Sequence, residues 1–86
     1  MSTARITLSQ PVHIDGQDVT DFELREPLAG DLRRVKMLDL IQLVPEACAP
    51  VIETISRPML PEASFYALPA RDAAKLMGGL AGFFGE

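Results

Sequence analysis

The sequence predicts an α+β fold: an N-terminal antiparallel β-hairpin over residues 4–26, followed by a small bundle of three to four short α-helices over residues 28–84. Three observations carry that expectation. Apolar and polar residues alternate on both sides of an Asp15-Gly16 step, which is the period of a strand with one wet face. Pro27 and then Gly30-Asp31 mark a stop and a helix start. Beyond them the chain is a series of apolar segments at helical spacing, broken by prolines. At 86 residues it reads as one small domain, of a size that is marginally stable alone and gains from oligomerisation or a bound partner.

In the first strand Ile6 and Leu8 alternate with Arg5, Thr7 and Ser9. In the second, Thr20, Phe22 and Leu24 alternate with Asp21, Glu23 and Arg25. Opposed residues in a hairpin have a constant sum of residue numbers, and an even sum brings Leu8 and Phe22 to one face. That favours a three-residue loop of Ile14, Asp15 and Gly16, with Gly16 left-handed, Leu8 opposite Phe22 and Ile6 opposite Leu24. A two-residue Asp15-Gly16 turn needs a compensating bulge, for which Pro11, lacking an N–H, is a suitable place. In either register two strands do not stand alone in water, so helices or another subunit must cover their apolar face.

Asp31 is a good N-cap, since its carboxylate can accept from free backbone N–H groups at a positive helix end. Leu32, Val35, Leu38 and Asp39 follow at helical spacing, with Leu28 placed to staple onto Val35. Arg33, Arg34 and Lys36 fall mostly on the other face, as solvated surface. Residues 40–44 are apolar almost all round, and Pro45 interrupts them. The next helix is expected from about Glu46 or Pro50 to Ser56, with Val51, Ile52 and Ile55 inward and Arg57-Pro58 as its stop. Residues 61–66 fit a single helical turn. Residues 69–84 make the last helix, with Leu76, Met77, Leu80, Phe83 and Phe84 on one face and a stripe of small residues, Ala70, Ala74, Gly78 and Gly82, on another. Gly78 and Gly79 together weaken that helix by roughly 2 kcal/mol relative to alanine.

Charge and hydropathy narrow the function. A net charge of −4 and a pI near 4.8 argue against nucleic-acid binding, which draws on Lys and Arg to neutralise phosphates. Hydrophobic residues make up 48% and the mean hydropathy is +0.15, although there are only four Phe, one Tyr and no Trp. So small a chain cannot hide all of that, which predicts exposed apolar surface meeting another protein. Residues 1–5 are polar and no run reaches the ~18 apolar residues of a membrane span, so neither a signal peptide nor a membrane anchor is expected, and the expected location is the cytoplasm.

The residues of catalysis are sparse. His13 is the sole histidine, lies beside Asp15 without a cysteine near it, and reads as a surface strand residue. Cys48 is also single and sits among Ala47, Ala49 and Val51, as a small buried apolar side chain. Asp15, Asp18, Asp21, Glu23 and Glu26 spread along the hairpin as solvated charges that protect a strand edge. The glycines match no phosphate-cradling loop, and Ser9, Ser56 and Ser64 lie in no nucleophile context. No enzyme, cofactor or metal is expected.

The run from Ile6 to Val35 nevertheless resembles a known opening: Pro11-Val12-His13-Ile14-Asp15-Gly16, then Val19-Thr20 with Leu24-Arg25-Glu26-Pro27, then Gly30-Asp31. It is similar to the start of the tail assembly chaperones of long-tailed bacteriophages, the family that joins the E proteins of P2-like phages with their Mu-like counterparts. The second half is similar as well, through the apolar helix of residues 51–55, the Leu60-Pro61 step, and Asp72 with Leu76 before Phe83-Phe84. The prolines at 45, 50 and 58 depart from the family pattern.

The resemblance implies a non-catalytic protein that binds the helical, apolar tape measure protein and keeps it soluble until tail tube subunits assemble around it in the host cytoplasm. It also implies a longer form, made by ribosomal frameshifting, that engages the tail tube protein; Phe83-Phe84-Gly85 stands where a slippery run of codons would belong. A greasy helical client needs an apolar groove. Val51, Ile52, Ile55, Leu76, Met77, Leu80, Phe83 and Phe84 are the candidates, the same residues also being candidates for the core. The alternative is a small structural or adaptor subunit of a phage or prophage particle that homo-oligomerises through the hairpin edge.

Overall fold

Alternation in the first 25 residues produces two long antiparallel strands, β1 (Thr3–Ile14) and β2 (Gln17–Arg25). The computed structural model describes residues 3–33 and 35–84, so Arg34 of the basic cluster and Gly85 lie outside the described residues. The turn is the two-residue one. Asp15 and Gly16 both take positive φ, at 50° and 81°, and Ile14 pairs directly with Gln17. Two left-handed residues make a primed turn whose twist matches the strands, and Asp-Gly is suited to it. The three-residue loop favoured by parity is therefore incorrect.

The odd residue count moves from the turn into β1, where the pairing shifts between Thr7 and Val12. On the turn side Val12 opposes Val19. Beyond the shift Ile6 opposes Phe22 and Ala4 opposes Leu24, in place of the expected Leu8 with Phe22 and Ile6 with Leu24. Residues 8–11 thus lie across from Thr20 alone. Pro11 sits inside this bulge, where it has no N–H to lose from the ladder. Ile6, Leu8, Phe22 and Leu24 still turn to the core, as the alternation requires.

Asp31 does not cap a helix running through Val35. Residues Ala29–Leu32 form a 3-10 turn, and α1 (Met37–Ile41) starts only after Lys36. The Asp31 carboxylate reaches back instead. It accepts from the Leu28 N–H at 2.8 Å and from the Arg25 guanidinium at 2.8 and 3.3 Å, which closes the exit from β2. The fork of Arg25 competes for the carboxylate that a downstream helix would have used.

α1 ends after five residues because Leu43 turns left-handed, with φ 58°. The Leu43 N–H donates to Leu40 and the Val44 N–H to Asp39, the two bonds of a Schellman cap with leucine where glycine is usual. Pro45 then opens α2 (Pro45–Ile55), one residue ahead of the expected start, because proline suits a first helical position. The helix continues through Pro50, which leaves the Glu46 carbonyl without its intrahelical bond. Burial of Ala47, Cys48, Ala49, Val51, Ile52 and Ile55 along one helix compensates.

A two-residue strand, β3 (Ser56–Arg57), follows and pairs with Leu24 and Glu23 of β2, giving the sheet order β1-β2-β3. Nothing so short leaves a periodic signal in sequence. α3 (Glu62–Tyr66) is the expected single turn, and α4 (Ala70–Ala81) ends in a 3-10 turn, Gly82–Phe84. The α+β architecture of a hairpin followed by four helices therefore holds, with a short third strand added. One core runs from Phe22 and Leu24 on the sheet through Leu40, Ile52, Ile55 and Leu60 to Phe65, Leu76 and Leu80.

α4 packs on β1 and α2, and two adjacent glycines show how closely. A Cβ on Gly79 would stand 2.7 Å from Ile6 Cδ1 and 3.4 Å from Leu24 Cδ1, whereas one on Gly78 would meet nothing within 4 Å. The stripe of Ala70, Ala74, Gly78 and Gly82 faces outward. We therefore expect Gly78→Ala to stabilise the protein by about 0.5–1 kcal/mol through helix propensity. Gly79→Ala should lose most of that gain to the Ile6 contact and Gly79→Val should destabilise, an order readable from urea unfolding midpoints.

Candidate functional site

The structure separates the eight candidate residues into two groups. Val51, Ile52, Ile55, Leu76 and Leu80 are core positions with no more than 1% of their surface exposed. Met77, Phe83 and Phe84 are half-buried at its margin. Phe84 is drawn into a surface feature: with Met37, Leu40, Ile41 and Ala81 it lines a groove of about 390 Å³.

α1 supplies most of that groove. Four of its five residues are apolar, yet a single helical turn packed on one side can bury only one of them, Leu40. Met37, Leu38 and Ile41 remain 44%, 64% and 60% exposed. Sequence reasoning missed these residues by assigning them to a longer amphipathic helix. The signal was the all-round apolar character of this stretch, which no single buried face can absorb.

Phe84 reaches the groove because α4 is fixed at its other end by a buried acid. Asp72 has no solvent-exposed surface. Its carboxylate accepts from the Ser9 N–H at 2.9 Å and the Ser9 hydroxyl at 3.0 Å. Ser9 belongs to the bulge, where the β2 ladder offers its N–H no partner. Arg71 Nε donates to the Ser9 hydroxyl oxygen at 2.9 Å, and Lys75 Nζ to the Thr7 carbonyl at 3.3 Å.

The other titratable groups are structural or solvated. His13 is an exposed strand residue with Nδ1 3.2 Å from Asp18. Asp21 accepts from the Thr7 hydroxyl at 2.9 Å. β3 pairs only with Glu23 and Leu24, so among the described residues Asp18 and Asp21 stand on a length of β2 with no strand on its second side, exposed as expected, whereas Glu23 is paired. Burial pushes the Cys48 thiol up, away from the thiolate form. Among the described residues no group of three His, Cys, Asp or Glu is placed to hold a metal ion, and no helix is long and apolar enough to cross a membrane.

Similarity to known proteins fits this picture of a small α+β domain with an apolar surface. The family model described as phage tail assembly chaperone proteins, E, or 41 or 14, matches residues 5–85, and the chain belongs to that family. It is similar to Tail assembly protein E of Escherichia phage P2, with 33% identity over 78 residues that cover 91% of this chain and 86% of that protein. No solved structure matches the chain. Membership in a chaperone family implies a non-enzymatic role in phage tail assembly.

The two bound carboxylates make stability pH-dependent. The Ser9 N–H, with the Ser9 hydroxyl, holds Asp72 below the usual carboxylate range against the opposing effect of burial. Arg25, then the Leu28 N–H, does the same for Asp31. A folded-state value below the unfolded one, about 3.9 for aspartate, adds stability that is fully present above that pH and is lost as pH falls through the folded value. Urea midpoints should therefore be level from neutral pH to about pH 5 and fall below about pH 4. Asp72→Asn should start lower at neutral pH and lose less on acidification; a full acid loss in that variant would assign the effect to other groups.

Proposed function

We propose that this protein is a non-catalytic tail assembly chaperone that works as a single small domain, binding the tape measure protein and keeping it soluble during tail assembly in the host cytoplasm. The observation that carries this reading is the groove lined by Met37, Leu40, Ile41, Ala81 and Phe84, beside the exposed Leu38. An apolar trough of this kind suits one face of an amphipathic or apolar helix, whose anchors recur at i, i+3, i+4 and i+7. Met77 and Phe83, half-buried against the core, are further contacts in this reading, while Val51, Ile52, Ile55, Leu76 and Leu80 support the binding face from the core. Homo-oligomerisation, and engagement of the tail tube protein by a longer form, belong to the same proposal.

Co-expression with the tape measure protein tests it. The parent protein should bring that client into the soluble fraction. Ile41→Asp and Phe84→Asp, both at surface or half-buried positions, should weaken the complex about tenfold or more while leaving the far-UV spectrum unchanged. A parent protein that neither binds nor solubilises the client overturns the proposal. Full activity in both variants would move the contact away from the groove.

A further inference from the structure

The sheet order β1-β2-β3 leaves β1 as an edge, with no strand on its second side among the described residues. A 12-residue edge strand is a template onto which another chain can add a strand. Proteins often protect such edges with charge, but between Thr3 and Ile14 the only Lys, Arg, Asp or Glu is Arg5. The acidic residues of the hairpin lie elsewhere, on the turn and β2 and just past its end.

Protection comes from α4 instead. Its residues run against the direction of β1, with Asp72 at Ser9, Lys75 at Thr7 and Gly79 at Ile6. The Thr7 carbonyl is taken by Lys75, and the Ser9 N–H by Asp72. Pro11 has no N–H to offer. Residues 8–11 also stand outside the β1–β2 pairing. From Thr7 to Pro11, then, backbone groups that strand addition would use are occupied or missing.

We infer that the first turns of α4 act as a guard on the β1 edge, holding its central backbone groups closed to antiparallel strand addition by a second copy of this chain. The second copy is the relevant occupant because β1 is nearly uncharged, so two such edges meet without the repulsion expected between acidic surfaces of a chain of net charge −4. This inference stands apart from client binding, which uses the groove at the opposite end of α4.

The test uses the full chain. Arg71→Ala with Lys75→Ala carries it, since both side chains are exposed and their removal spares the core; Pro11→Val, which restores an N–H on the edge, is the independent variant. Sedimentation velocity over a concentration series should show both variants shifted toward dimers and larger species relative to the parent. Gln10→Cys should form an intermolecular disulfide in the Arg71→Ala/Lys75→Ala background and not in the parent background. Adding Ile41→Asp should leave the association intact. Sedimentation matching the parent at every concentration overturns the guard, as does association that Ile41→Asp abolishes, because that would place it in the groove.

Discussion

The hydrogen bonds between the Asp72 carboxylate and the bulge of β1 are the join on which the rest of the structure depends. A bulge leaves backbone groups without ladder partners, and a backbone N–H that loses its partner away from water costs about 1–3 kcal/mol. Asp72 takes up the Ser9 N–H and the Ser9 hydroxyl together. The same contact sets the rotation of α4. Once Asp72 points at Ser9, Leu76 and Leu80 follow into the core at helical spacing, and Gly79 comes down on Ile6. A helix with paired glycines in its last turn has little tendency to hold itself, so docking at its first turn matters more than its own propensity.

Much of this was legible in the sequence, and the parts that were not have a common cause. Alternation located both strands and their inward residues, and Pro45, Pro61 and Pro69 marked helix starts, although α2 runs through Pro50. Parity correctly required an odd residue to be accommodated somewhere in the hairpin. It could not say where, because the count is the same whether the turn or Pro11 absorbs it. Asp31 fitted a helix cap on local grounds and was claimed by Arg25, six residues back. The same limit applies to the candidate surface: a buried face and a binding face obey one periodicity. Val51, Ile52, Ile55, Leu76 and Leu80 obeyed it as core, while Leu38 was read into the face of a longer helix and Ile41 into an all-round apolar stretch, so the exposed side of the short α1 was not singled out.

The chemistry of the molecule agrees with its family. Its polar side chains of lowest exposure, Asp72 and Ser56, are both occupied by backbone partners, Ser56 accepting from the Leu60 N–H at 2.9 Å. Recognition of an apolar helix draws on surface area and shape, with no need of a titratable centre. The exposed methionine and aliphatic side chains of α1 are suited to that, methionine in particular filling irregular gaps against varied partners.

The left-handed Leu43 bears on how α1 meets a partner. A non-glycine residue in that conformation costs on the order of 1 kcal/mol and persists only where its surroundings hold it. Here they do, through the bonds to Leu40 and Asp39 and through packing of Leu43 and Val44 on the core. The short helix is thereby presented at a set angle with its backbone already ordered. The client binding proposed for this face would then lose little conformational entropy on the chaperone's side, and the ordering cost would fall mainly on the incoming chain.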